Sequence, residues 1–171
     1  MPYARYGETL DSVTAQIEGL PSSVSRASLY DLLPAGAARN AVDCALWDLE
    51  AKRAGARAWT LAGLPRPGPE LTAYTLSLAS PEEMEAQARV HAARPLLKIK
   101  LGTPDDMPRL EAVRRGAPKA RIIVDANEGW RAEVYADLAP HLLRLGVRMV
   151  EQPLPAGQDD MLSEIDRPLP V

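Results

Sequence analysis

The sequence predicts an α/β chain in which a helical N-terminal part leads into a parallel sheet made of successive strand–helix units. Three observations predict it. Helical periodicity dominates the first seventy residues, a stretch dense in proline and glycine interrupts it at 63–69, and short apolar strands then alternate with capped helices. Parallel neighbours need a long crossover, so strands that alternate with helices imply a parallel sheet. A doubly wound sheet and a barrel both satisfy that pattern. No G-x-G-x-x-G follows the first strand, where Leu78-Ala79-Ser80-Pro81 stands instead, and this favours the barrel.

Taken in order, Thr9 or Asp11 is positioned to cap a helix whose apolar face is Val13, Ile17 and Leu20, stopped by Gly19 and Pro21. A longer helix is expected from about Ala35 to Ala54. Its stripe is Ala38, Val42, Ala45, Leu46 and Leu49, with Gly55 as its stop. Cys44, the single cysteine, lies in that pattern and is expected to be a buried structural thiol. Three prolines and two glycines in residues 63–69 suit no regular element and mark a domain boundary. The expected domains are 1–65 and 70–171.

Beyond the boundary, Leu71 to Leu78 alternates polar and apolar residues as a strand does. Ser80-Pro81-Glu82-Glu83 is a helix start with a serine cap, a first-turn proline and a glutamate three residues on. That helix is expected to reach about Ala93. Leu96–Leu101 reads as the second strand, Thr103-Pro104-Asp105-Asp106 as the next helix start, and Arg121–Asp125 as the third strand. Gly129 to about Leu145 reads as a helix kinked at Pro140, and Val147–Glu151 as the fourth strand.

Apolar residues make up 46% and charged residues 25%, which argues for a globular core and against a disordered chain. With a net charge of -3 and no basic run interleaved with aromatics, the electrostatic footprint of nucleic-acid binding is missing. No apolar run is long enough for a membrane span, and the start lacks the pattern of a signal peptide. A small-molecule substrate and a cytoplasmic location are the expectations.

Three strands carry ionisable residues where apolar ones are the norm: Lys98 and Lys100 on the second, Asp125 ending the third and Glu151 ending the fourth. One such position recurs per strand–helix unit, at the same end of successive strands, which in a parallel barrel is the catalytic face. Lys98 and Lys100 are two apart and point to one side. Mutual repulsion disfavours protonation of either, which suits a general base. An edge strand with solvated lysines would show the same pattern. Asp125 and Glu151 suit a hard cation such as Mg²⁺, which takes oxygen ligands, and Asp125 equally suits a helix cap.

Lys98-Ile99-Lys100, Val124-Asp125-Ala126-Asn127-Glu128-Gly129-Trp130 and Glu151-Gln152-Pro153-Leu154-Pro155, in that order and spacing, closely resemble the enolase superfamily in its muconate-lactonising subgroup. Residues 2–8, ending in Arg5-Tyr6-Gly7-Glu8, and residues 33–49, with Pro34-Ala35-Gly36-Ala37-Ala38-Arg39-Asn40, resemble the capping domain of bacterial L-Ala-D/L-Glu (dipeptide) epimerases. The resemblance implies the helical remnant of an α+β capping domain followed by the first four units, the first half, of a modified TIM barrel. It implies that Lys100 is an acid/base lysine, Lys98 its electrostatic partner, Asp125 and Glu151 two of three Mg²⁺ ligands, and Asn127 a residue standing behind those ligands. The implied reaction is epimerisation of a dipeptide by removal of its α-proton through a metal-stabilised enediolate.

Other members of that scaffold, N-acylamino-acid racemase, o-succinylbenzoate synthase and muconate cycloisomerase, are alternatives that would take an acyl amino acid or related acid. So are a noncatalytic remnant and a Schiff-base aldolase built on Lys100. The resemblance also implies a fragment shortened at both ends, because the strand period puts a third metal ligand past Val171 and a second catalytic lysine further on. Such a fragment is expected to be inactive alone and marginally stable, its intact counterpart a homo-oligomer.

Overall fold

Hydroxyl side chains set the starts of the first helices. In the computed structural model of the protein, which describes residues 6–103 and 105–171, Thr9 caps α1 (Leu10–Glu18) and Ser25 caps α2 (Arg26–Leu32). Each cap forms a reciprocal box with the serine three residues on. Helix α3 (Ala37–Ala54) begins differently. Its N-cap, Gly36, has no side chain to offer, and the Glu8 carboxylate accepts from the Ala37 amide at 2.6 Å instead. Gly55 ends α3 in the left-handed region, where a Cβ is disfavoured, and the short α4 (Ala58–Leu61) follows. Residues Pro2 to Arg5 of the N-terminal segment and Pro104 lie outside the described residues.

The chain divides into two units, Met1–Pro69 and Glu70–Val171. In the first, Val13, Leu29, Leu33 and Ala38 form the buried cluster, with Val42 and Leu46 packed against it. Arg26 stacks 3.6 Å over the Trp47 ring and pairs with Glu50 at 2.8 Å, joining α2 to α3. Here two expectations are corrected. The buried side of α3 runs Ala38, Val42, Leu46, while Ala45 and Leu49 are exposed. Cys44 is exposed as well. Two residues on from Val42 it is turned about 200° around the helix, away from the cluster.

The second unit alternates as β1 (Tyr74–Leu76), α5 (Pro81–Val90), β2 (Leu96–Lys100), α6 (Asp106–Gly116), β3 (Arg121–Asp125), α7 (Ala132–Arg144) and β4 (Val147–Glu151). A single 3₁₀ turn at Asp159–Ser163 lies beyond them. The four strands are parallel and ordered β1-β2-β3-β4, so each pairs with the next and the order never reverses. That is the winding of a barrel rather than of a doubly wound sheet. Strand β1 is shorter than its alternating pattern suggests. Among the described residues it pairs with β2 alone, and Leu71 and Leu78, to either side of it, are exposed. Helix α7 starts at Ala132 rather than Gly129 because the preceding residues are spent in a turn described below.

Leu97 and Ile99 of β2, Ile122 and Val124 of β3, and Val147 and Val150 of β4 are fully buried in the main core. Met84 and Ala88 of α5, Leu110 and Val113 of α6, and Tyr135 and Leu142 of α7 belong to it as well. No helix among the described residues is long and apolar enough to cross a membrane. Helices α5 and α6 touch at Gly116, where an added Cβ would stand 2.5 Å from the Glu85 carbonyl oxygen and 2.9 Å from the Ala88 Cβ. Backbone cannot give as a flexible side chain can. Gly116→Ala is therefore expected to destabilise the second unit by about 1–3 kcal/mol, as overpacking does, measured by urea unfolding.

Candidate active site

Register brings the chemistry into one row. Lys100 is the Cα partner of Asp125, and Asp125 the partner of Glu151, so the last residues of β2, β3 and β4 stand side by side at their carboxyl ends. Strand periodicity sends Leu97 and Ile99 to the core and turns Lys98 and Lys100 to the opposite face. On β3, Ile122 and Val124 likewise face the core and Asp125 the other way.

Strand β4 would break this row without an irregularity. Val147 pairs with Ile122 but Val150 with Val124, so β4 carries one residue more than β3 between these pairs. This bulge puts both Val147 and Val150 in the core. Glu151 then falls on the lysine face instead of following Val147 inward. It also explains why Asp125 and Glu151 are one residue further apart in sequence than Lys100 and Asp125.

The four charged groups form one neutral cluster. Asp125 Oδ2 accepts from Lys100 Nζ at 2.7 Å and lies 2.9 Å from Lys98 Nζ. Lys98 Nζ also donates to Glu151 Oε2, and Lys100 Nζ to Asn127 Oδ1 at 2.9 Å. The Asn127 amide closes the set by donating to Asp125 Oδ1. The Asp125 side chain is only 2% exposed, against 33% for Lys100. Strand β2 lies between β1 and β3, so its lysines are not on a sheet edge. Nor does Asp125 cap α7, whose N-cap is Arg131.

Burial pushes the Asp125 carboxyl up, but hydrogen bonds from Lys100, Lys98 and the Asn127 amide outweigh it and hold the group below its ordinary value. At Lys98, burial works downward while Glu151 and Asp125 work upward, and the carboxylates prevail. At Lys98 this corrects the expectation that lysine–lysine repulsion disfavours protonation. At Lys98 the two carboxylates are nearer and stronger than the neighbouring ammonium.

The backbone at this end is strained. Asn127, Glu128 and Gln152 have φ of 48°, 63° and 46°, in the left-handed region where a non-glycine residue is disfavoured. Hydrogen bonds between the two loops hold them there. The Glu128 amide donates to the Gln152 carbonyl at 2.8 Å and the Trp130 amide to the Pro153 carbonyl at 3.0 Å. Sequence reading missed Asp106, which is 1% exposed and accepts from the Gly102 and Thr103 amides, the Thr103 hydroxyl and the Trp130 indole. Its place inside a helix-start pattern disguised it.

Among the described residues no group of three or more His, Cys, Asp and Glu stands ready to hold a metal ion. Asp125 and Glu151 do present oxygens to one shared cation, the Lys98 ammonium. That donor set fits Mg²⁺, which is commonly held by one or two carboxylates with water and substrate filling the shell.

Comparison with known proteins follows the same lines. Residues 83–171 match the family described as Enolase C-terminal domain-like, and residues 8–63 match the Mandelate racemase / muconate lactonizing enzyme, N-terminal domain. The L-Ala-D/L-Glu epimerase of Escherichia coli (strain K12) is 45% identical, over 99% of this chain and 55% of its own length. Among solved structures, an enolase family member from Agrobacterium tumefaciens with homology to dipeptide epimerases, with bound sodium and L-Ala-L-Glu, is similar at a TM-score of 0.91 and 50% identity. That match covers 99% of this chain and 53% of the other. A dipeptide epimerase from Methylococcus capsulatus complexed with Mg and L-Arg-D-Lys gives a TM-score of 0.78 at 31% identity, covering 96% of this chain and 51% of the other. The chain spans about half the length of these relatives.

Because the folded Asp125 carboxyl titrates below its unfolded value, its contribution to stability is complete above the ordinary aspartate pKa of about 3.9 and is lost as pH falls through the lower folded value. Lys98 works at the other end, its contribution complete below about pH 10.4 and lost as pH rises through its raised value. Melting temperature against pH without divalent metal is thus expected to fall on both flanks. Asp125→Asn is expected to lower the neutral plateau and flatten the acid flank, and an unchanged acid flank would contradict this account.

Proposed function

The chain belongs to the mandelate racemase / muconate lactonizing enzyme family of the enolase superfamily, and from that membership we propose that its site removes the α-proton of a dipeptide of the L-Ala-L-Glu type. The observation that carries this reading is the single row of Lys100, Asp125 and Glu151 with Lys98 beneath it. An α-proton beside a carboxylate is a weak acid, and its removal needs a base on one side and positive charge for the developing oxyanion on the other. The row has both.

In this reading Asp125 and Glu151 hold Mg²⁺, which when bound takes up the negative charge that builds on the substrate carboxylate. Lys98, bonded to both carboxylates, stays protonated and adds its own charge beside that oxygen. Lys100 is the base. It reaches the site from the same face, is more exposed than Lys98, and has Asn127 Oδ1 to orient its remaining hydrogens.

The test is proton exchange in D₂O with Mg²⁺ and L-Ala-L-Glu or its D-Glu epimer, followed by NMR or mass spectrometry. Deuterium is expected at the glutamate α-carbon, and Lys100→Ala is expected to slow incorporation by roughly 10²–10⁴-fold, the usual contribution of a general base. Glu151→Gln is expected to raise the Mg²⁺ concentration needed. No incorporation in the parent, or incorporation indifferent to Lys100→Ala, sinks the reading.

A further inference from the structure

We propose that Asp106 is a positioning residue for this site, acting with Trp130 as a clasp between the loop after β2 and the loop after β3. The inference rests on the functional reading above for its consequence, but not for its geometry.

A carboxylate in the first turn of a helix is ordinarily solvated, its role limited to the helix end. Asp106 is 1% exposed, and one of its oxygens collects three donors from two different loops. Oδ2 accepts from the Gly102 amide at 2.7 Å, the Thr103 amide at 2.8 Å and the Trp130 indole Nε1–H at 2.8 Å. Oδ1 accepts from the Thr103 hydroxyl at 2.9 Å, and Arg109 stands 3.6 Å away to balance the charge. Capping α6 requires none of the Trp130 contact.

What the clasp joins is the reason for assigning it to the site. Gly102 follows Lys100 by two residues, and the loop bearing Trp130 begins directly after Asp125 and contains Asn127. The two backbones run together at Gly102 and Gly129. A Cβ on Gly129 would lie 2.4 Å from the Gly102 oxygen, and one on Gly102 2.4 Å from the Ala126 oxygen. No Cβ fits at that crossing, where the Leu101 amide donates to the Asp125 carbonyl at 2.9 Å, and the Asp106–Trp130 hydrogen bond adds a side-chain lock between the two loops. Releasing it loosens the strained turn at Asn127 and Glu128, and leaves its hydrogen bonds to the loop after β4 to hold it. The Asn127 amide then moves off Asp125 Oδ1, and its side-chain oxygen off Lys100.

Hydrogen exchange on the full chain, read amide by amide by NMR, tests this without reference to catalysis. In Trp130→Phe, which keeps an aromatic ring but removes the donor, the Asn127 and Glu128 amides are expected to exchange about tenfold faster while those of Ile99 and Val124 keep their protection. Asp106→Ala is expected to do the same more strongly. Asp106→Asn, which retains an oxygen for the same donors, is expected to restore most of the parent protection. Unchanged exchange at Asn127 and Glu128 in both Trp130→Phe and Asp106→Ala overturns the proposal. Should Asp106→Ala unfold, Trp130→Phe decides by itself.

Titration of the same samples with Mg²⁺ separates the two readings. A weakening of roughly tenfold in the clasp variants is expected, as for residues that orient metal ligands from behind. A parent chain that shows no Mg²⁺ response defeats the metal reading, while the exchange data still judge the clasp.

Discussion

Asp125 sets the terms for the second unit. Its carboxylate is withdrawn from water, and a buried charge is tolerated only where opposite charges and hydrogen-bond donors replace the lost solvent. Two ammonium groups and a backbone amide do so here. Everything that keeps those three donors in reach becomes a condition on the fold. Strand β2 must lie beside β3 with Lys100 level with Asp125, and the second carboxylate, Glu151, must reach Lys98 so that the two lysines do not leave an unbalanced charge. The bulge in β4 belongs to this constraint. Regular pairing from Ile122 and Val147 would have sent Glu151 toward the valine core, and the extra residue returns it to the charged face.

The same end of the sheet concentrates strain. Three non-glycine residues in the left-handed region, and two glycines whose backbones meet where no Cβ fits, occur within the loops that leave β2, β3 and β4. Packing of that kind is unfavourable by itself and persists where the surroundings over-determine it. Here the surroundings are the loop-to-loop hydrogen bonds at Glu128 and Trp130, together with the buried Asp106. A site whose polar groups are fixed before substrate arrives needs little reorganisation during reaction, which is the usual advantage of strained backbone beside charged groups.

Much of this was legible in the sequence, for identifiable reasons. Strands β2, β3 and β4 are short apolar runs whose out-of-place charges at the carboxyl end mark the face, and a period of two puts Lys98 and Lys100 together without any further knowledge. Other features were not legible because they depend on partners. The extra residue between Asp125 and Glu151 was visible as a spacing, yet a loop absorbs one residue as readily as a strand does, so the bulge was not. Helix α2 has seven residues, too few for periodicity to declare itself. Cys44 and Leu49 looked buried because an apolar stripe on α3 is wider than the cluster that covers it. Asp106 carried the signature of a helix start, and nothing in the letters around it says that Trp130 folds over it.

The two lysines illustrate how neighbours divide a task that sequence assigns to both. Mutual repulsion would lower each alike, but their carboxylate contacts differ. Lys98 touches Asp125 and Glu151, the two groups with the greatest claim on a cation, and is raised. Lys100 touches Asp125 and the neutral Asn127 amide oxygen, and is the more exposed. Any cation that Asp125 and Glu151 come to share competes with Lys98 for both of its carboxylates, but with Lys100 for only one. Lys98 would lose both of its carboxylate partners to such a cation, whereas Lys100 would keep the Asn127 oxygen. Asymmetry of hydrogen bonding, rather than repulsion between equals, is what distinguishes the two lysines.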